Sequence, residues 1–131
     1  MKELKAAEQV YLEDYGVHVN RYLTLAQIQQ IVNAIKVFDT WAEREQNKNM
    51  LVLYHATDIG KEALEASDYN LLQSSGLIDS VLECVVNFYD IDKALDWTES
   101  TQRALAQIIK DGLPQIRKIL ENPKAVAKVK K

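Results

Sequence analysis

Apolar side chains recur every three to four positions along most of this chain, and only 4 glycines and 2 prolines interrupt them. That pairing favours long helices over many short strands, because a helix returns to the same face without needing turn chemistry inside it. The strongest stripe covers residues 24–42, where Leu25, Ile28, Ile31, Val32, Ile35, Phe38, Trp41 and Ala42 follow helical spacing. Thr24 and Gln27 stand at capping-box distance, so the hydroxyl and the amide can each satisfy a free backbone N–H at the helix start. Thr40 and Glu43 repeat that spacing. A break near Asp39 is therefore predicted, followed by a second helix ending at 55–58 and closed by Ile59 and Gly60. Its buried side is expected to carry Trp41, Met50, Leu51, Leu53 and Tyr54.

The flanking segments extend the pattern. Residues 3–14 place Leu4, Ala7, Val10 and Tyr11 at helical spacing, and Gly16 follows where a left-handed residue ends a helix, so a first helix is predicted there. Residues 17–23 (VHVNRYL) alternate at Val17 and Val19 and read as an extended connector, since a lone short strand has no visible partner. Residues 62–66 and 69–72 read as short helical turns, with Asp68 capping the second, and residues 74–76 as a loop. The run 77–89 (LIDSVLECVVNFY) is apolar on most faces and reads as one central helix. Asp90 and Asp92 are N-cap candidates for a short helix with Ala94, Leu95 and Trp97. Thr98 opens another, with Ala104, Leu105, Ile108 and Ile109, which Gly112 stops. Pro114 suits the first turn of a last helix bearing Leu113, Ile116, Ile119 and Leu120. The predicted fold is all-α, a single-domain irregular bundle of about six or seven helices over residues 1–123, with a basic, mobile tail at 124–131.

Length and charge narrow the function classes. With 131 residues, 47% of them hydrophobic, the chain can bury a sizeable core without disulfides or metals. Its one cysteine, Cys84, lies in an apolar run and reads as a small buried hydrophobe in a reducing compartment. No secretory signal opens the chain, and no apolar run approaches the ~20 residues that span a bilayer, so a cytoplasmic protein without membrane contact is expected. Residues 1–116 hold 10 Lys/Arg against 18 Asp/Glu, a net of −8, whereas residues 117–131 are net +5. An acidic body disfavours nucleic-acid binding there, because phosphate contact needs clustered cations; the basic tail remains able to touch nucleic acid or an acidic partner.

Catalytic and metal-binding patterns are missing from the sequence. His18 and His55 lie 37 residues apart, without further ligands at metal spacing, and neither follows a Glu by three positions. His55, near a helix end, reads as a surface residue opposing the dipole. Glu13 and Asp14 are adjacent and do not converge on a helix, while Asp90 and Asp92 lack the glycine and final glutamate of a calcium loop and read as caps. No phosphate-binding glycine loop, GxSxG elbow or HExxH occurs. The chain is therefore expected to be no enzyme and to need no cofactor or metal. Trp97, between Asp96 and Thr98, is the aromatic expected to stay partly exposed and to anchor an interface. Arg117, Lys118, Lys124 and Lys128 complete the candidate interaction residues.

The segments YLTLAQIQQIVNAIKVFDTWAERE (22–45), LVLYHATDI (51–59) and DYNLLQSSGLIDSVLECVVNFYDIDKALDWTES (68–100) together resemble small helical proteins encoded by phages and prophages of Gram-positive bacteria, in the style of head–tail connector components. The resemblance covers about half of the chain. It implies a structural or accessory role in virion assembly, in the host cytoplasm or the virion, and transfers no site residue. The expected function is a protein–protein interaction component of that assembly, with self-association among its contacts. The alternative is a phage-encoded inhibitor or regulator of a host enzyme or defence system, an acidic surface imitating nucleic acid.

Overall fold

The computed structural model describes residues 3–4 and 8–121, with the backbone alone at 116 and 118–121. Among these residues the order is β1 (Gln9–Leu12), β2 (Val17–Asn20), α1 (Leu25–Ile35), α2 (Trp41–Ala56), α3 (Lys61–Glu65), α4 (Tyr69–Ser74), α5 (Leu77–Cys84) and α6 (Asp90–Glu121). The protein is mostly helical but not purely so, since β1 and β2 form a small antiparallel sheet. Two compact units divide the chain, Met1–Leu95 and Asp96–Lys131.

The hairpin corrects the expected first helix and the expected connector together. Val17 and Val19 are buried while His18 and Asn20 are exposed, the period-2 signature of a half-buried strand. Val10 pairs with Val19 and Tyr11 with His18, so residues that also fit helical spacing are recruited into a ladder. Gly16 does adopt the left-handed conformation, at φ +64°, but it closes the β1–β2 turn and donates its N–H to the Leu12 carbonyl at 2.8 Å. Residues 5–7 of the expected helix lie outside the described residues.

The helix α1 begins as its sequence dictates. Gln27 N donates to Thr24 Oγ1 at 3.1 Å, and Thr24 N donates to Gln27 Oε1 at 2.9 Å. Ile28, Ile31, Val32 and Ile35 are buried. The break before α2 falls where expected, capped by Thr40. Arg44 secures it, donating from Nε to the Phe38 carbonyl and from Nη2 to the Lys36 carbonyl. Leu53 is buried, and Met50 and Leu51 are half-buried against the core. Trp41 and Tyr54, expected inside, are exposed. Trp41 lies about two turns before Lys48, the first residue the core covers, and Tyr54 falls on the side of the helix opposite Asn49, Val52 and Ala56.

A charged group enters this core. Lys48 is only 7% exposed. Its Nζ lies 2.9 Å from Glu45 and 3.3 Å from Asp92, and 5.1 Å from the centre of the Phe88 ring. Burial pushes the ammonium toward losing its proton, but Glu45 and Asp92 together outweigh it and hold the pKa above the ordinary 10.5. Next to it, Asn49 Nδ2 donates to Tyr69 Oη at 3.0 Å.

Short α3 and α4 follow, the second capped by Asp68 as predicted, through Asn70 N. Gly76 stands at φ +86° ahead of α5, and a Cβ there would meet Tyr15 Oη at 3.0 Å. That hydroxyl donates to the Ser75 carbonyl at 2.8 Å, fastening the hairpin turn to the α4–α5 loop. The expected 77–89 helix ends early, at Cys84. Val85 turns extended, Val86 N donates to the Arg21 carbonyl at 2.7 Å, and Asn87 bonds Leu23. Those tertiary bonds draw the backbone off the helical path.

Where three short helices are predicted after residue 89, one helix runs from Asp90 to Glu121. Gly112 does not stop it and Pro114 does not start a new one. Pro114 is exposed and shares the polar side of α6 with the exposed Lys110, whose carbonyl loses its helical partner where solvent can replace it.

Candidate interaction surface

Residues 96–113 of α6 carry the most extended exposed apolar face among the described residues. Thr98, Thr101, Leu105, Ile108, Ile109, Gly112 and Leu113 share one side by helical spacing, with Trp97 at its margin. Leu105 is 54% exposed, Ile108 66%, Ile109 60% and Trp97 70%. Asp96, Arg103, Lys110 and Asp111 lie on the other side. This is the pattern of an amphipathic helix, but its apolar stripe lies open where a globular chain would ordinarily bury it.

Of the expected interface residues, Trp97 and Arg117 are exposed on α6. Lys118 is on the same helix, with only its backbone described, and Lys124 and Lys128 lie outside the described residues. Sequence reasoning singled out Trp97 for exposure but read Leu105, Ile108 and Ile109 only as the apolar residues of a helix. Their spacing is identical whether such a face is buried or open; what distinguishes them is their exposure.

A second polar cluster joins residues far apart in sequence. His18 Nδ1 donates to Asp58 Oδ2 at 2.9 Å, His18 N donates to Asp58 Oδ1 at 3.0 Å, and Asp58 N donates to the His18 carbonyl at 3.2 Å. Val19 bridges Thr57 beside them. Tyr11 stacks on the His18 ring with centroids 4.6 Å apart. Hydrogen bonds from the His18 side chain and backbone hold the Asp58 carboxyl below its ordinary pKa of 3.8. Gln9, Asn20 and Thr57 line the same shallow cleft. Both partners are about half exposed. The Thr57 hydroxyl is engaged, donating to the Leu53 carbonyl and accepting from Ile59 N. The cluster therefore works as a clasp between β2 and the end of α2.

His55, read as a surface residue, sits in the last turn of α2 but is half-buried, edge-on to Tyr54 at 4.9 Å; burial lowers its pKa. Cys84 is half-buried against the core. Among the described residues, no three His, Cys, Asp or Glu side chains gather at metal-binding distance, and no helix is long and apolar enough to cross a membrane.

Comparison with known proteins finds no matching family model, no matching curated protein and no matching solved structure.

Proposed function

We propose that this chain is a non-enzymatic protein–protein interaction component, and that its setting is the assembly of a phage or prophage virion, in a connector or assembly-accessory role. One observation carries the interaction reading: the apolar stripe of α6 between Trp97 and Leu113 lies open while the polar residues take the opposite side. Exposing several large aliphatic side chains on one continuous face opposes solubility, and burying each against a partner is worth roughly 1.5–3 kcal/mol. The virion setting is supported by the resemblance of residues 22–45, 51–59 and 68–100 to small phage-encoded helical proteins.

The test is co-expression of the chain with the products of its neighbouring genes, followed by size-exclusion chromatography with light scattering. A stoichiometric complex with a capsid, connector or tail protein, weakened by Ile108→Asp, is the expected result. A strict monomer at millimolar concentration that joins none of them defeats the reading. A complex with a host enzyme or defence protein would move the assignment to the regulatory class.

A further inference from the structure

We infer that the segment 96–121 pairs with the same segment of a second copy of this chain, antiparallel, about a two-fold axis at Gln107. This rests on the interaction reading above and names its partner.

The spacing supports a two-helix seam. Thr98, Leu105 and Gly112 are seven residues apart, and Gln102, Ile109 and the backbone position of Ile116 form the complementary series, three and four residues out of step. In an antiparallel pair centred on Gln107, positions equally distant from it meet. Leu105 of each copy then faces Ile109 of the other, Gln102 faces Gly112, and Thr98 lies level with the backbone position of Ile116. The two series interleave as facing layers at every level, and the long Gln102 meets the one position without a side chain. Ile108 and Leu113 flank the seam and widen its apolar band.

Charge selects the direction. The first turns of the segment hold Asp96 and Glu99, and its last turns hold Arg117 and Lys118. An antiparallel pair brings the acidic end of each copy to the level of the basic end of the other, and opposes the two helix dipoles. A parallel pair stacks acid on acid and base on base. Asp96, Glu99 and Arg117 stand on the outer side of the seam, so their charges act at longer range and through solvent, and the preference is screened by salt.

The experiment uses the full chain in a Cys84→Ser background, with a spin label introduced by Gln107→Cys or Ser100→Cys and pair distances measured by pulsed dipolar spectroscopy. The expected result is a dimeric mass with Gln107→Cys labels on the outer faces of the pair, separated by the width of the two helices alone. Ser100→Cys labels, seven residues from the axis on each helix, add about 21 Å along the seam to that width and so lie further apart than the Gln107→Cys labels. Equal distances at the two positions mean a parallel pair and overturn the proposal. A strict monomer at millimolar concentration also overturns it; if that monomer still joins a neighbouring gene product, the interaction reading stands without the pairing.

Substitution supplies a second readout. Ile109→Asp is expected to weaken the dimer roughly tenfold or more, with the far-ultraviolet helical signal retained. Arg117→Glu with Lys118→Glu is expected to weaken it in low salt, and adding Asp96→Lys with Glu99→Lys to the same chain to restore it. Failure of the fourfold variant to recover would overturn the antiparallel direction.

Discussion

The Asn87 amide grips both backbone groups of Leu23, accepting from Leu23 N at 2.9 Å and donating to the Leu23 carbonyl at 2.9 Å. One side chain thereby imitates a strand partner for the segment between β2 and α1. It also fixes where the chain leaves α5, because Val86 is bonded to Arg21 alongside. Asn87→Ala strips both bonds and leaves a half-buried N–H and carbonyl unmatched, an expected loss of about 1–3 kcal/mol. Asn87→Asp keeps the acceptor but sets a carboxylate against the Leu23 carbonyl, so it is expected to rescue little. Urea denaturation of the variants measures both.

The His18–Asp58 clasp carries a pH signature. Because the Asp58 carboxyl is held below 3.8 in the folded chain, its contribution is fully present above that value and is lost as pH falls through the lower folded pKa. Asp58→Asn removes it at every pH. The natural chain is therefore expected to melt a few degrees above the variant near neutrality, with the gap closing below about pH 4. A gap that stays constant through the acid range would show that the carboxylate charge contributes nothing. Melting curves followed by circular dichroism across that range decide it.

Lys48 is sealed between two carboxylates and an aromatic ring, and its worth depends on what replaces it. Lys48→Met keeps the volume and removes the need for solvation, so stability is expected to stay within about 1 kcal/mol of the natural chain. Asp92→Ala instead leaves the ammonium with Glu45 alone. Asp92 is itself more than half exposed, so the expected loss is only about 0.5–1 kcal/mol. Combining the two changes isolates the coupling: in the Lys48→Met background, Asp92→Ala should cost almost nothing. A large residual cost would place the role of Asp92 at the start of α6 instead.

Features whose cause is local were legible from the sequence. The Thr24–Gln27 box, the Thr40 start of α2 and the Asp68 cap depend on residues two or three apart, and each stands as expected. Features whose cause is distant were not. Val10 and Tyr11 fit a helix until Val17 and Val19 offer a ladder. Val85 to Tyr89 fit a helix until Arg21 and Leu23, more than 60 residues earlier, bond the backbone away. His18 and Asp58, 40 residues apart, leave no local signal of their pairing. In α6 the error ran the other way, because Gly112 and Pro114 are strong breakers whose local cost the exposed side of a long helix absorbs. The exposure of Trp97 was legible from its polar neighbours, whereas that of Ile108 was not, because periodicity reports a face without reporting what covers it.

Ile78 and Ile108 test that last distinction directly. Both are isoleucines on an apolar helix face, one 1% exposed and the other 66%. Ile78→Ala opens a cavity in a core shared with α2 and β2, and the expected loss is about 3–4 kcal/mol. Ile108→Ala removes side-chain atoms that solvent already reaches, so unfolding of the chain at low concentration should change by less than about 0.5 kcal/mol. The contrast must be measured in dilute solution, since self-association would stabilise the natural chain by mass action and make Ile108 look structural. Raising the concentration should then separate the natural chain from Ile108→Ala while leaving the Ile78→Ala deficit unchanged. Equal losses for the two variants in dilute solution would mean that the α6 stripe is covered within the chain, and the interaction surface would have to be sought elsewhere.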